Sequence, residues 1–529
     1  MLHRGRVWTC DPGRPEARAV AVEGDRIVAV GSDADALALR GPRTEVVDLD
    51  GRLVLPGFID GHTHFGNAAE WCFGVGLYEA TDPDRIVAAV AAAARRIPKG
   101  LWLTGGDYGA QVAIDRRALD RAVPDHPVLL RRADGAHFVN GLALSRARIG
   151  PEMPDPYGGR MEREGGALTG LLFGRAGERI AELIPPRNLE QRLVGARLAL
   201  EDLARVGITS IHDVARLDEL SKRALFHTDV ERSATDLAIF RELQARGLLT
   251  TRVYAFLSLP LWREVVAAGI RPRSEEGLIR FGGLKSFIDG FLMDAPYADD
   301  PDFAGGFSFR FVDEATMAAD VAGADRAGFD PVIHTVGDKA HRLLLDWYEA
   351  AIAANPKRDR RFRVIHAWYP TGREIARIGK LGLIADVTPQ HMVNDVKRAD
   401  AHLGPERAKT AHAWRSLIDA GARLDIVSDW PGSFNERRLV PLSPIENIAF
   451  AVDRAWHAEQ RLTVPEAIAA YTTGPAYASY EETKKGSITE GKLADLVVLS
   501  ADILSTPPQR IAEAEVDLTI FGGQMIYRR

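Results

Sequence analysis

Apolar residues along the chain fall into two textures. In the middle, short apolar runs alternate with stretches of helical period. The runs Val54–Ile59, Ile208–Ile211, Thr251–Phe256, Ile279–Ile288, Pro331–Ile333, Phe362–Ile365, Gly382–Val387 and Leu424–Val427 read as buried strands. Between them, Leu193–Val206, Glu314–Ala327 and Lys339–Ala354 carry apolar residues at helical spacing. Strands that alternate with helices argue for a parallel sheet, and eight βα units in order are the count of a TIM barrel.

Both ends of the chain differ from this. Ala17–Val22 and Arg26–Val30 are short runs joined by Glu23-Gly24-Asp25, where Gly24 can supply the positive φ of a tight hairpin turn. The runs Gly486–Ile488, Leu493–Leu499, Val516–Phe521 and Gln524–Tyr527 repeat this texture at the other end. These features predict a β-sandwich domain from residues 1–53 plus 483–529 around a barrel of residues 54–482. The gap from Ile59 to Ile208 is far longer than an ordinary βα loop. Strand-like, turn-rich stretches at Trp102–Gly105, Val128–Arg132 and Gly165–Leu172 predict an inserted α+β subdomain at about residues 70–185. The expected fold is α/β: a (β/α)8 barrel with a terminal sandwich and an insertion.

Composition narrows the function classes. A net charge of −6 without runs of like charge gives no basic surface for nucleic acid. Cys10 and Cys72 can form neither a disulfide framework nor a thiolate metal site. The Ala-rich run Ile86–Ile97 is too short to span a bilayer and holds Arg95 and Arg96. With no apolar signal segment at Met1–Trp8, the expectation is a soluble cytoplasmic protein with a small-molecule substrate, open to homo-oligomerisation.

The chemistry gathers where the strands end. In Leu55-Pro56-Gly57-Phe58-Ile59-Asp60-Gly61-His62-Thr63-His64, residues two apart on a strand share a side, so His62 and His64 can aim two imidazoles at one point. Neutral imidazole is a common zinc ligand. A bare H-x-H is otherwise two polar loop residues. The other predicted strands carry Lys285, His334, His366 and Ser428-Asp429 at or near their C-terminal ends, the face on which barrels build active sites. Among 14 histidines one or two such placements could be chance; four with a lysine and an aspartate are harder to dismiss.

This order of H-x-H, Lys, His, His and Asp resembles the amidohydrolase superfamily, and within it the YtcJ-like group that includes N-substituted formamide deformylases. Asp289-Gly290, His334-Thr335-Val336-Gly337-Asp338, Val427-Ser428-Asp429-Trp430-Pro431 and Gly491-Lys492-Leu493-Ala494-Asp495-Leu496 extend the resemblance over nearly the whole chain. It implies two divalent metal ions, zinc first among them. His62, His64 and Asp429 would hold one, and His334 and His366 the other. Lys285, carbamylated, would bridge them, which requires an uncharged lysine of the kind burial favours. Asp429 would be the catalytic base in hydrolysis of an amide, formamide, carbamate or cyclic amide. Trp71, Met293, Trp368 and Trp430 are candidates for an apolar substrate pocket, with His391, after the seventh strand, and His137, in the insertion, as further substrate contacts. His212 and His412 fit structural roles equally well. The alternatives are a mononuclear deaminase with an unmodified Lys285, a lactonase or esterase, and a non-catalytic relative.

Overall fold

The computed structural model describes residues 1–77, 80–132, 134–216, 235–289, 313–431 and 442–529. It divides into two compact units. One holds Met1–Phe65, Leu200–Pro431 and Val440–Arg529, and the described part of the other is Gly66–Ala199.

The first unit contains a barrel of parallel strands: β1 (Phe58–Thr63), β2 (Ile208–Arg216), β3 (Arg252–Ser258), β4 (Ile279–Phe287), β5 (Asp330–Thr335), β6 (Arg363–His366), β7 (Ile384–Val387) and β8 (Arg423–Ile426). Neighbours pair in sequence order from β1 to β8. Just beyond β8 the ring draws shut on β1: Asp429 N donates to His62 O at 3.0 Å and His64 N to Trp430 O at 2.8 Å. The end of β1 and the turn after β8 therefore form the seam of the barrel. The covering helices follow their apolar period. Asp338–Ala354 buries Ala340, His341, Leu344, Leu345, Tyr348 and Ala351, a single stripe. Glu314–Arg326 starts at Asp313, whose carboxylate caps Thr316 N at 2.9 Å.

The predicted first strand, Val54–Ile59, is in fact two. Leu53–Pro56 belongs to a terminal sheet and β1 begins at Phe58. Gly57 is the joint: its N–H donates to Asp495 O at 2.8 Å, and a Cβ there would lie 2.4 Å from Thr209 Oγ1. Only glycine lets the chain pass so close to β2. The continuous apolar run hid the break because both pieces are buried.

Strands from both termini form two sheets. One runs in the order Arg26–Gly31, Ala19–Glu23, Leu2–His3, Val47–Asp48. The other runs Gln524–Arg528, Val516–Phe521, Leu496–Leu499, Leu53–Pro56, Arg6–Trp8, Glu16–Ala17. Val7, Val20, Ile27, Val54, Leu496, Val498 and Leu518 share one apolar core, as in a sandwich. Arg252 of β3 forks onto Asp495 at 2.7 and 3.1 Å, tying barrel to sandwich.

The second unit is α+β. Its sheet runs Gly159–Glu164, Ala167–Gly174, His137–Val139, Val128–Arg132, Leu103–Tyr108, Val75–Gly76. One apolar cluster includes Ile86, Val90, Leu119 and Leu130, and another Trp102, Leu144, Leu172 and Ile180.

Candidate metal centre

The C-terminal ends of β1, β4, β5 and β6 and the turn after β8 converge. His62 Nε2 and His64 Nε2 each stand 3.2 Å from Asp429 Oδ1. Lys285 Nζ lies 3.3 Å from His62 Nε2. The rings of His334 and His366 are 4.5 Å apart between centroids, and those of His62 and His366 6.0 Å. Donor atoms of His62, His366 and Asp429 all lie within 4.8 Å of one another. All six residues are buried.

Backbone and neighbours aim these groups. His366 and Asp429 hold φ values of 73° and 59°, a left-handed conformation that costs non-glycine residues of order 1–3 kcal/mol each and gathers at functional sites. Asp60 Oδ1 accepts from His62 N at 3.2 Å and Ser428 N at 3.0 Å, pinning β1 to the turn after β8. Asp213 does the same on the other side, accepting from Thr63 Oγ1 at 3.0 Å and Phe65 N at 2.6 Å. Asp289 takes Val336 N at 3.0 Å and Gly337 N at 2.7 Å and faces His334 Nε2 at 4.0 Å.

Electrostatics set the charge states. Burial, reinforced by Lys285, drives the His62 imidazole well below its ordinary pKa, and burial with His334 does the same for His366. Neutral imidazoles are the ligating form. Burial opposes ionisation of Asp429, yet the imidazoles of His62 and His64 hold its carboxyl well below the usual range. Burial lowers the Lys285 ammonium to about 7 against the pull of Asp429 and Asp386. A neutral amine of this kind is what carbamylation requires.

The arrangement fits a divalent cation. The Nδ1 atoms of His62 and His64 are buried without a hydrogen-bond partner among the described residues, while the Nε2 atoms converge on one carboxylate oxygen. Imidazole nitrogens with a carboxylate oxygen are a zinc-type donor set.

The other predicted contacts divide. Trp368 lies 5.9 Å from His366 between ring centroids, and His391 Nε2 is 3.8 Å from Asp429 Oδ2, so both border the cluster. Trp430 adjoins Asp429 and sits on the barrel seam. Met293 lies outside the described residues. Trp71 and His137 belong to the second unit. The Trp71 ring packs where a Gly76 Cβ would be, and the His137 ring lies against Gly177. His412 is buried, its Nε2 3.0 Å from Asp395 Oδ2.

Sequence reasoning missed the polar layer below the site: Asp60, Asp213, Arg363, Asp386 and Asp425, all buried. Charged residues inside three apolar strand runs, Arg363, Asp386 and Asp425, were the available signal.

Comparison with known proteins decides the family. The amidohydrolase family model matches residues 45–527. The chain belongs to the amidohydrolase family. It is 30% identical to the putative amidohydrolase YtcJ of Bacillus subtilis, over 100% of this chain and 99% of that protein. It is 28% identical to an N-substituted formamide deformylase of Arthrobacter pascens, over 100% of this chain and 98% of that one. In fold it is similar to an uncharacterized metal-dependent hydrolase from Pyrococcus furiosus, at a TM-score of 0.70 and 22% identity, covering 95% of this chain and 99% of the other. The candidate cluster of His62, His366 and Asp429 lies at the C-terminal ends of the barrel strands. Among the described residues no helix is long and apolar enough to cross a membrane.

Proposed function

We propose that this protein is a metal-dependent hydrolase that cleaves a carbon–nitrogen bond of an amide, an N-substituted formamide or a related small molecule. The convergence of His62, His64 and His366 with Asp429, beside Lys285 and His334, supports this reading most directly. His62, His64 and Asp429 would hold one divalent ion and His334 and His366 a second, with Lys285, as a carbamate, between them. When bound, such ions supply Lewis-acid activation of water and of the substrate carbonyl at neutral pH.

The chain's own residues account for the proton traffic. Asp429 is ionised and stands at the centre of the cluster, so it accepts a proton from the attacking water and returns it to the departing nitrogen. Such transfer is worth about 10²–10⁴-fold in rate. Trp368 and Trp430 offer apolar walls, and His391, buried with neither ring nitrogen hydrogen-bonded among the described residues, offers a polar contact to substrate.

One observation favours a second reading. His62, His366 and Asp429 suffice to hold a single ion, and Lys285 sits beside His62 as a free amine, the unmodified lysine that a mononuclear deaminase predicts. Metal content per chain after purification with zinc and bicarbonate separates the two, with Lys285→Ala as control. About two ions, falling in the variant, together with turnover of N-acyl or formamide substrates over matched esters, supports the binuclear hydrolase. About one ion, unchanged in the variant, with ammonia release from amino-substituted rings, supports the deaminase.

A further inference from the structure

Below the cluster, the barrel axis is filled by a charged side chain. Arg363 on β6 is 1% exposed. Its Nε donates to Asp386 Oδ2 at 2.8 Å, and one terminal nitrogen donates to His212 Nδ1 at 2.8 Å. The other reaches Asp386 Oδ1 at 2.6 Å, Gly61 O at 3.0 Å and Asp425 Oδ2 at 3.3 Å. These partners stand on β7, β2, β1 and β8, so the guanidinium joins four strands to its own.

Stability alone is a poor account of this network. Buried ion pairs recover little more than their desolvation, and apolar residues of similar volume often do as well. The geometry is more specific. Gly61 lies between Asp60 and His62. Its carbonyl is held from below by Arg363, while the His62 N–H is held by Asp60. The peptide unit that sets the direction of His62 is thus gripped at both ends. His64, two residues on, shares that side of the chain. Gly61 has no side chain for a matching reason: a Cβ would lie 3.0 Å from the Arg363 terminal nitrogen and 2.9 Å from Val427 Cγ1.

We propose that Arg363 is a positioning residue of the metal centre, fixing the Gly61 carbonyl and through it the aim of His62 and His64. The inference rests on the metal-centre reading above and extends it to a residue that touches neither ion nor substrate. Hydrogen-bonded supports behind metal ligands typically carry about 10–100-fold in metal affinity.

The test compares Arg363→Lys, which keeps the charge and loses the fork, with Arg252→Lys, which breaks a half-buried fork of the same barrel, onto Asp495. Zinc affinity is measured by titrating metal-free protein against a competing chelator. Ligand geometry is read from the visible spectrum of the cobalt-substituted protein. Thermal unfolding reports the stability of each variant. The expected result is zinc binding about 10–100-fold weaker in Arg363→Lys with a shifted cobalt spectrum, and wild-type affinity and spectrum in Arg252→Lys despite a lowered melting temperature. Should Arg363→Lys fail to fold, Asp386→Asn, which removes only the charge opposite the fork, decides by a smaller loss in the same direction. Wild-type affinity and spectrum in the folded variant would make Arg363 merely structural and overturn the proposal. Wild-type protein that binds neither metal would overturn the metal-centre reading as well.

Discussion

Between the terminal sheets the buried positions are Val7, Val20, Ile27, Val54, Leu496 and Val498, whereas along the barrel axis they include Asp60, His62, Lys285, Arg363, Asp386 and Asp425. Both regions exclude water, and the physics differs. Apolar burial in the sandwich stabilises by about 25 cal/mol per Å². Charge burial in the barrel costs several kcal/mol per ion before pairing returns part of it. The barrel tolerates that cost because its many apolar layers are elsewhere, as in Val332, Ile333, Ile365 and Ile426. The difference sets an apolar core in one region against a buried charged layer in the other.

Substitutions can break that division. The largest expected effect is on chemistry: Asp429→Asn should lower turnover by about 10²–10⁴-fold while the melting temperature changes little, as steady-state rates and calorimetry would show. A variant with wild-type turnover would remove Asp429 as the base. Next, Leu496→Ala, fully buried in the sandwich, should cost about 2–5 kcal/mol in denaturant unfolding and leave turnover per folded molecule unchanged. Loss of turnover there would show that sandwich and site are energetically one.

Smaller effects sharpen the same contrast. Removing metal with a chelator should lower the unfolding free energy by about 2.7 kcal/mol relative to protein at a hundredfold excess over Kd. The smallest effect is expected at Ser32, which caps the helix Asp33–Leu37 in a reciprocal pair with Asp35. Ser32→Ala should cost about 1 kcal/mol without any change in metal content.

Much of this was legible along the chain. The alternation of apolar runs with helical stretches carried the barrel, because each strand buries both faces and each helix a single stripe. The H-x-H pair and the residues at later strand ends were legible as a candidate cluster, and the structure brings them together. The break at Gly57 was not legible: a strand that leaves one sheet and enters another keeps its hydrophobicity. Nor could sequence alone show that the Trp71 ring packs against Gly76 and the His137 ring against Gly177.

The sequence by itself determined the strand count and the order of the histidines, lysine and aspartate around the barrel, because these depend on local period and residue chemistry. Only the tertiary structure decided that Asp429 meets His62 across the seam where β8 returns to β1, and that Arg363 reaches the Gly61 carbonyl from beneath. Those contacts join residues hundreds of positions apart, and no local pattern encodes them. They follow from closure of the sheet, which brings its first and last strands together and leaves one buried guanidinium among the partners that can satisfy it.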